Sequence, residues 1–424
     1  MSRAKLVFLL LASLLCTAQA GFTQLPQVLP GTQLPQVQVP GVPLPETTRA
    51  VTGGLRELTG ARVLRANRLF NEHRAQLDRD PRGELVVRAE VVAIDITPAA
   101  LSKALAAKFN LLRSVKIEDL GVSIAVLQTP EGVSAARGLK RLRELDPEGM
   151  YDYNHVYLDS ALEGGQPAGA ADAGTPTTLA PAAAAPGSTA RVGLIDGGVD
   201  GGHRVFSRLT LRRHGCRGAV VPSSHGTAVA SILAGNQQIA EIFAVDVYCG
   251  EPTGGAVDAV AAAFGWLARE KVAVINVSLV GPRNALLERL VNALVARGHV
   301  IVAAVGNDGP AAPPLFPASY DGVVGVTAVD SKQRVLIEAG RGKQVDFAAP
   351  GADVHAAALA PDGYARMRGT SFAAPAVAAM LAELPTPDAS ARTLLLDRLA
   401  AQARDLGKPG RDDVYGAGLL GSYK

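Results

Sequence analysis

The sequence predicts an α/β protein: a doubly wound, mostly parallel sheet with helices on both faces, preceded by a small α+β domain. Two patterns carry this prediction. From Ala190 onward, short continuous apolar runs alternate with helix-length segments, as they must when both faces of every strand are covered. Before residue 160 the runs follow a different order, and the stretch 161–188, made largely of Ala, Gly, Pro, Thr and Ser, separates the two parts. With 48% hydrophobic but only 4% aromatic residues, the core must be built from Ala, Val and Leu, which suits close packing of helices on a sheet.

The 424 residues leave room for two or three domains. Residues 1–20 combine Arg3 and Lys5, the apolar run Leu6–Leu15 and Ala18-Gln19-Ala20, the three parts of a secretory signal. The run is too short to span a bilayer, which takes about twenty apolar residues, so no membrane span is expected once the signal is removed. Leu15 before Cys16 argues against lipid attachment. Residues 21–48, with Thr23-Gln24-Leu25-Pro26-Gln27-Val28 repeated as Thr32-Gln33-Leu34-Pro35-Gln36-Val37, read as a Pro-rich disordered spacer.

Residues 49–160 form the small domain. A charged helix is expected over Leu55–Asp78, then a strand over Glu84–Ile96 and a helix from Thr97-Pro98 to Phe109. Strands at Val115–Glu118 and Val122–Gln128, a helix at Gly132–Leu145 and a last strand at Tyr151–Leu158 complete it. From Glu84 the order is strand, helix, strand, strand, helix, strand, the split ferredoxin-like arrangement. By itself it implies no chemistry. Residues 161–188 are a linker open to cleavage.

Residues 189–424 form the larger domain. Strands are expected at Arg191–Ile195, Ile242–Tyr248, Val272–Val277, Val300–Val305, Val323–Ala328 and Val345–Ala348. Helices are expected at Gly226–Ala234, Ala256–Arg269, Asn284–Arg297, Ser371–Glu383 and Ala389–Ala403.

A net charge of +3, with no Lys/Arg block interleaved with aromatics, gives no ground for a nucleic-acid partner. After signal removal Cys216 and Cys249 remain, either as one disulfide, favoured in an oxidising compartment, or as two buried thiols. No C-x-x-C or H-E-x-x-H spacing occurs, so no metal site is expected.

In doubly wound sheets, binding groups gather at the carboxyl ends of the strands. Four polar positions fall there or at the helix starts that follow. Ser371, between Gly369-Thr370 and Phe372-Ala373-Ala374-Pro375, opens a helix, with Pro375 expected in the first turn where its missing N–H breaks no bond. Its own amide would face any approaching oxygen from the positive end of the helix dipole. On its own, a serine there is an ordinary N-cap. Asp196 closes the apolar run Val192-Gly193-Leu194-Ile195 and calls for a partner. His225, in Ser223-Ser224-His225-Gly226-Thr227, opens another helix and can exchange a proton near neutral pH. Asn307, in Gly306-Asn307-Asp308-Gly309, follows a strand, where such a run is ordinarily a turn but where its amide can also donate to an oxyanion. Carboxylate, histidine and serine together are the parts of a proton-relay nucleophile.

In the order Asp196, His225, Asn307, Ser371, these motifs closely resemble those of the subtilisin-like serine proteases. Further matching pieces are Ile275-Asn276-Val277-Ser278-Leu279, Phe316-Pro317-Ala318, Ala349-Pro350-Gly351 and Tyr415-Gly416-Ala417-Gly418. The resemblance covers about Arg191 to Leu420 and implies a subtilisin-like fold and a secreted serine endopeptidase. It implies that Asp196 orients His225, that His225 is general base and then acid, that Ser371 is the nucleophile and that Asn307 donates to the oxyanion. Ser278, Leu279 and Val280 would form the edge that pairs with substrate backbone, although the family's usual glycine is here Val280, with Gly281 following. Ala304 to Gly306 would line the pocket before the scissile bond, narrowed by Leu315 to small or medium apolar side chains.

The resemblance also implies that residues 49–160 are a prodomain that assists folding and inhibits until it is cut away, with self-cleavage in 157–190. The expected partners are protein or peptide substrates and this prodomain, acting on a monomer. Calcium is common in the family, but no ligand-dense loop marks it here and no cofactor is expected. A general α/β-hydrolase would need G-x-S-x-G, and Ala373 stands at the second glycine. A non-catalytic binding protein on the same scaffold would usually lack a triad member, and all are present. His203, His214, His299 and His355, with Asp200 and Asp246, lack a matching context and are expected to be structural.

Overall fold

The computed structural model describes residues 60–159, 189–216, 220–359 and 363–422, so the expected signal, spacer and linker lie outside the described residues. All of these residues belong to one unit, Thr48–Lys424.

The N-terminal part begins with α1 (residues 60–72). It continues with β1 (Leu77–Arg79), β2 (Leu85–Ile94), α2 (Pro98–Ala106), β3 (Asn110–Ile117), β4 (Val122–Gln128), α3 (Ala135–Leu145) and β5 (Met150–His155). The charged helix expected to reach Asp78 therefore stops at 72, because residues 77–79 pair with 85–87 across a tight turn at Gly83. Both helices start on a side-chain cap, Thr97 for α2 and Ser134 for α3. The strands form an antiparallel sheet in the order β1-β2-β4-β3, with β5 also on β2.

That sheet is apolar on both faces. Val91, Ala93, Ala125 and Leu127 pack on α2 and α3. Alternate residues Val92, Ile94, Ile124 and Val126 share a core with helices of the C-terminal part. Period-two alternation places adjacent residues on opposite faces, and here each face has its own apolar partner.

After β5 the chain does not continue as one strand to Leu158. It breaks at Val156-Tyr157 and resumes as β6 (Leu158–Asp159), because Tyr157 turns its N–H to Gly255, 2.8 Å away, instead of to β2.

The C-terminal part contains β7 (Ala190–Asp196), β8 (Thr210–Gly215), α4 (Ser224–Ala234), β9 (Ile239–Asp246), α5 (Val257–Arg269), β10 (Val274–Val277) and β11 (Leu279–Val280). Then come α6 (Ala285–Ala296), β12 (Val300–Ala304), β13 (Val324–Val329), β14 (Phe347–Pro350), β15 (Val354–Ala357), β16 (Tyr364–Met367), α7 (Thr370–Leu381) and α8 (Ala389–Gln402). Seven strands make a fully parallel sheet in the order β14-β13-β12-β10-β7-β9-β8. One layer packs α4 and α7 on the sheet, and the other packs α5 and α6. β8 was not expected: Thr210-Leu211-Arg212-Arg213-His214-Gly215 is mostly exposed edge strand, and its polar residues hide the apolar signal.

From β7 the chain winds first to β8 and β9 on one side, then to β10, β12, β13 and β14 on the other. The carboxyl ends of β7 and β10 therefore flank the switch point, where open α/β sheets hold their ligands.

Cys216, just after β8, and Cys249, just after β9, are joined as a disulfide with Cα atoms 5.2 Å apart. The bond closes a loop of sequence separation 33 around α4. Replacing both cysteines, Cys216→Ala with Cys249→Ala, should lower the unfolding free energy by about 2–4 kcal/mol, read in urea as a lower midpoint.

Candidate active site

Asp196 ends β7, and its carbonyl accepts the Val247 amide at 3.0 Å, which ties the β7 and β9 loops together. Its carboxylate is 1% exposed; Oδ1 accepts the Gly197 amide at 2.6 Å and lies 2.8 Å from His225 Nδ1. His225 is the second residue of α4, whose cap Ser223 accepts the Gly226 amide at 2.9 Å. The two loops touch: a Cβ on Gly226 would lie 2.2 Å from the Gly197 carbonyl oxygen, and one on Gly197 would lie 2.3 Å from Ser223 Oγ. Only glycines at both places let the histidine reach the carboxylate. Among the described residues, His225 Nε2 is buried without a hydrogen-bond partner.

Ser371 is the second residue of α7 and fully buried. Pro375 is its sixth residue, beyond the first turn expected for it. Proline there removes the N–H that would bond the Ser371 carbonyl. Ser278 replaces it: its Oγ donates to that carbonyl at 3.0 Å while accepting from Asn276 Nδ2 at 2.9 Å. The Ser371 hydroxyl is in turn 3.2 Å from the Ser278 carbonyl. The ring of Phe372 stands 5.5 Å from that of His225, so the two helix starts meet.

Asn307 follows β12. Its Oδ1 accepts the Thr370 amide at 3.1 Å, and Thr370 Oγ1 accepts the Gly306 amide at 3.2 Å. That assigns the donors to the other side of the amide, where Nδ2 would lie 2.8 Å from a Cβ on Gly369. Gly369, at φ +138°, is thus required both for its backbone and for this space. Leu315 sits against Gly306, where a Cβ would come within 2.5 Å of its Cδ1.

β11 pairs antiparallel with β6, Leu279 opposite Asp159 and Val280 opposite Leu158. On the other side, Val156 bridges Ala256. Residues 156–159 therefore form the middle strand of three. The 255–256 wall was missed in the sequence; its only signal was the Gly254-Gly255 pair before α5. Gly255, at φ +77°, leaves room for the Tyr157 carbonyl, 2.2 Å from where a Cβ would sit. α1 also reaches the site: Arg62 joins Asp308 (Nε to Oδ2, 2.6 Å) to Glu84 (2.9 Å), and Arg65 pairs with Asp159.

Residues 187–418 match the family model described as Peptidase_S8, subtilase family. The chain belongs to the subtilase family of serine endopeptidases.

This subtilase is 30% identical over 257 residues to the minor extracellular protease Epr of Bacillus subtilis (strain 168), a match that takes in 56% of this chain and 38% of that one. It is 30% identical over 257 residues to subtilisin DY of Bacillus licheniformis, with 55% of this chain and 89% of that one covered. Its fold is shared with fervidolysin from Fervidobacterium pennivorans, a keratinolytic enzyme related to subtilisin, at TM-score 0.61 and 18% identity over 81% of this chain and 61% of that one. The chain thus spans well under half the length of Epr.

His203, His214, His299 and His355 are each held by neighbouring groups of the subtilase. His203 Nδ1 accepts the Val205 amide and Nε2 meets the Gly363 carbonyl at 2.9 Å; His299 Nδ1 meets the Val272 carbonyl at 2.8 Å. His214 stacks on Trp266 and His355 on Tyr364. Asp200 accepts the Gly202 amide, and Asp246 caps the Tyr248 and Cys249 amides. Asp246 also lies beside Cys216 and Cys249, whose sulfurs are both engaged in the disulfide.

Burial alone would lower the His225 pKa, but the Asp196 charge, that of Asp159 and the Asp196 hydrogen bond outweigh it and hold the imidazole above its ordinary value. A raised histidine is protonated to higher pH, so its neutral form, the one able to accept a proton, appears only on the alkaline side. By NMR titration of the Ser371→Ala chain, His225 should titrate above the ordinary value of about 6.5. Asp196→Asn should bring it down, and Asp159→Asn should lower it less.

Proposed function

We propose that the chain is a secreted serine endopeptidase, made as a self-cleaving precursor, that hydrolyses peptide bonds through an acyl-enzyme without a cofactor. The observation that carries this reading is the 2.8 Å contact of Asp196 Oδ1 with His225 Nδ1, which supports a proton on Nδ1 and Nε2 as the base. Ser371 Oγ attacks the substrate carbonyl carbon as its proton passes to Nε2. The oxygen of the tetrahedral adduct takes hydrogen bonds from Asn307 Nδ2 and the Ser371 amide at the start of α7. His225 returns the proton to the leaving amine as the C–N bond breaks, and water repeats the cycle on the ester. Asp196 holds the imidazolium in place and balances its charge.

Substrate backbone lies along Ser278, Leu279 and Val280, and a small or medium apolar side chain enters the pocket of Ala304 and Gly306. The position of residues 156–159 supports the precursor reading, since this segment already occupies that edge as a third strand. Residues 49–160 are then the prodomain, cut free by cleavage within 157–190. Secretion is supported by the signal pattern of residues 1–20.

The test is casein hydrolysis with and without a serine-directed covalent inhibitor, together with the N-terminus after folding. Wild type should digest casein, lose activity to the inhibitor and shed its N-terminal part; Ser371→Ala should do neither and stay uncut. Subtilisin supplies the magnitudes, about 10⁶ in kcat for its nucleophile and about 10²–10³ for its side-chain oxyanion donor, and the same losses are expected for Ser371→Ala and Asn307→Ala. Equal termini for wild type and Ser371→Ala would defeat self-cleavage.

A further inference from the structure

Glu338 lies in the turn between β13 and β14 and has no exposed surface, although a carboxylate is almost never fully buried unless it is paired. Its partner is Arg368, whose Nη2 donates to Oε2 at 3.0 Å and whose Nε stands 2.8 Å from Oε1. The guanidinium thus meets the carboxylate as a two-pronged fork, the arrangement that fixes orientation as well as distance. A well-packed apolar pair of similar volume often holds a fold as well as a buried ion pair, so stability alone does not call for these two charges.

What the pair joins is more specific. The Glu338 carbonyl accepts the Gly309 amide at 2.8 Å, and two residues on the Gly340 amide donates to the Gly306 carbonyl at 2.9 Å. The 338–340 turn therefore grips both ends of Gly306-Asn307-Asp308-Gly309. Arg368 stands directly before Gly369-Thr370-Ser371, and the Thr370 amide donates to Asn307 Oδ1 at 3.1 Å. The ion pair closes this into a ring through Asn307, Thr370, Arg368, Glu338 and Gly309. Asn307 lies on the ring and the Ser371 amide is one residue from it. Another hold on the same loop, from Arg62 to Asp308, belongs to the N-terminal part and leaves when that part is cut away. The Glu338–Arg368 contact stays.

Resting on the endopeptidase reading above, we infer that Glu338 and Arg368 are a positioning pair for the oxyanion site, fixing Asn307 Nδ2 relative to the Ser371 amide through the backbone rather than by contact with substrate. Donors aimed at a developing oxyanion act only while their distance and direction hold. Without the fork, the 306–309 loop and the start of α7 are joined at fewer points, and the two donors are free to drift apart.

The test uses the full chain after folding, with Ser371→Ala as the blank and two substrates, casein and a tetrapeptide p-nitroanilide carrying leucine before the scissile bond. The anilide has no amino acid beyond that bond, so a direct hold of Arg368 on substrate there would show on casein alone. Arg368→Met should lower kcat on the anilide by about tenfold or more with KM nearly unchanged, and Arg368→Lys, which keeps the charge but not the fork, should lose less. The deciding readout is a cycle with Asn307→Ala on both substrates: once that donor is gone, Arg368→Met should cost less than about twofold. If the unpaired buried carboxylate stops Arg368→Met from folding, Glu338→Leu with Arg368→Met removes both charges and takes its place in the cycle. An equal loss with and without Asn307 overturns the assignment, as does a loss confined to casein, an unchanged kcat, or failure of both variants to fold. Failure of the wild-type chain on casein removes the endopeptidase reading and this assignment with it.

Discussion

Asp196 is a charged group at the end of a strand whose other inner residues are apolar, and it is almost wholly buried. Such a carboxylate is stable only where donors reach it. The Gly197 amide and His225 supply them, and the demand propagates outward. For His225 to arrive, the first turn of α4 must touch the Asp196 loop, which Gly197 and Gly226 allow. For the loop to hold its course, Val247 must bond the Asp196 carbonyl, so β7 and β9 end together. The disulfide and Asp246 then brace that same loop.

The other half of the site answers a different constraint. Pro375 leaves the Ser371 carbonyl without its helical donor, and Asn276 and Ser278 provide one from the end of β10. A defect in the helix thereby becomes a tether between α7 and the neighbouring strand. Thr370 does the same toward β12 through Gly306 and Asn307. The nucleophile candidate is thus tethered to the ends of two strands as well as to its own helix.

The N-terminal part shows how one sheet can be complete and still unfinished. Its own two helices cover one face, and the other face is as apolar and is covered by α5 and α6. Polar contacts reinforce the junction: Asp152 Oδ2 accepts the Ala285 amide at 2.8 Å, and Arg113 joins Glu90 to Asp258. The edge segment then crosses into the cleft and takes a place between residues 255–256 and 279–280.

Much of this was legible in the chain itself. Apolar periodicity marked the six strands of the parallel sheet other than β8 and its five helices, because a buried strand or helix face must be apolar wherever it lies. The motifs around Asp196, His225, Asn307 and Ser371 were legible because glycines and small residues stand beside each polar group, as close backbone approach demands. The breaks at residues 72 and 157, the edge strand β8 and the second wall at Gly255 were not. Each depends on a partner outside the segment itself: β2 across a tight turn for residues 77–79, the Gly255 carbonyl for Tyr157, β9 for Thr210–Gly215. The same holds for Pro375, whose place in the second turn is tolerable only because Ser278, almost a hundred positions earlier, offers a hydroxyl. Residue type and local spacing decided which elements and which chemistry the chain contains; tertiary structure decided which backbone groups would otherwise lack a partner and which distant residues supply one.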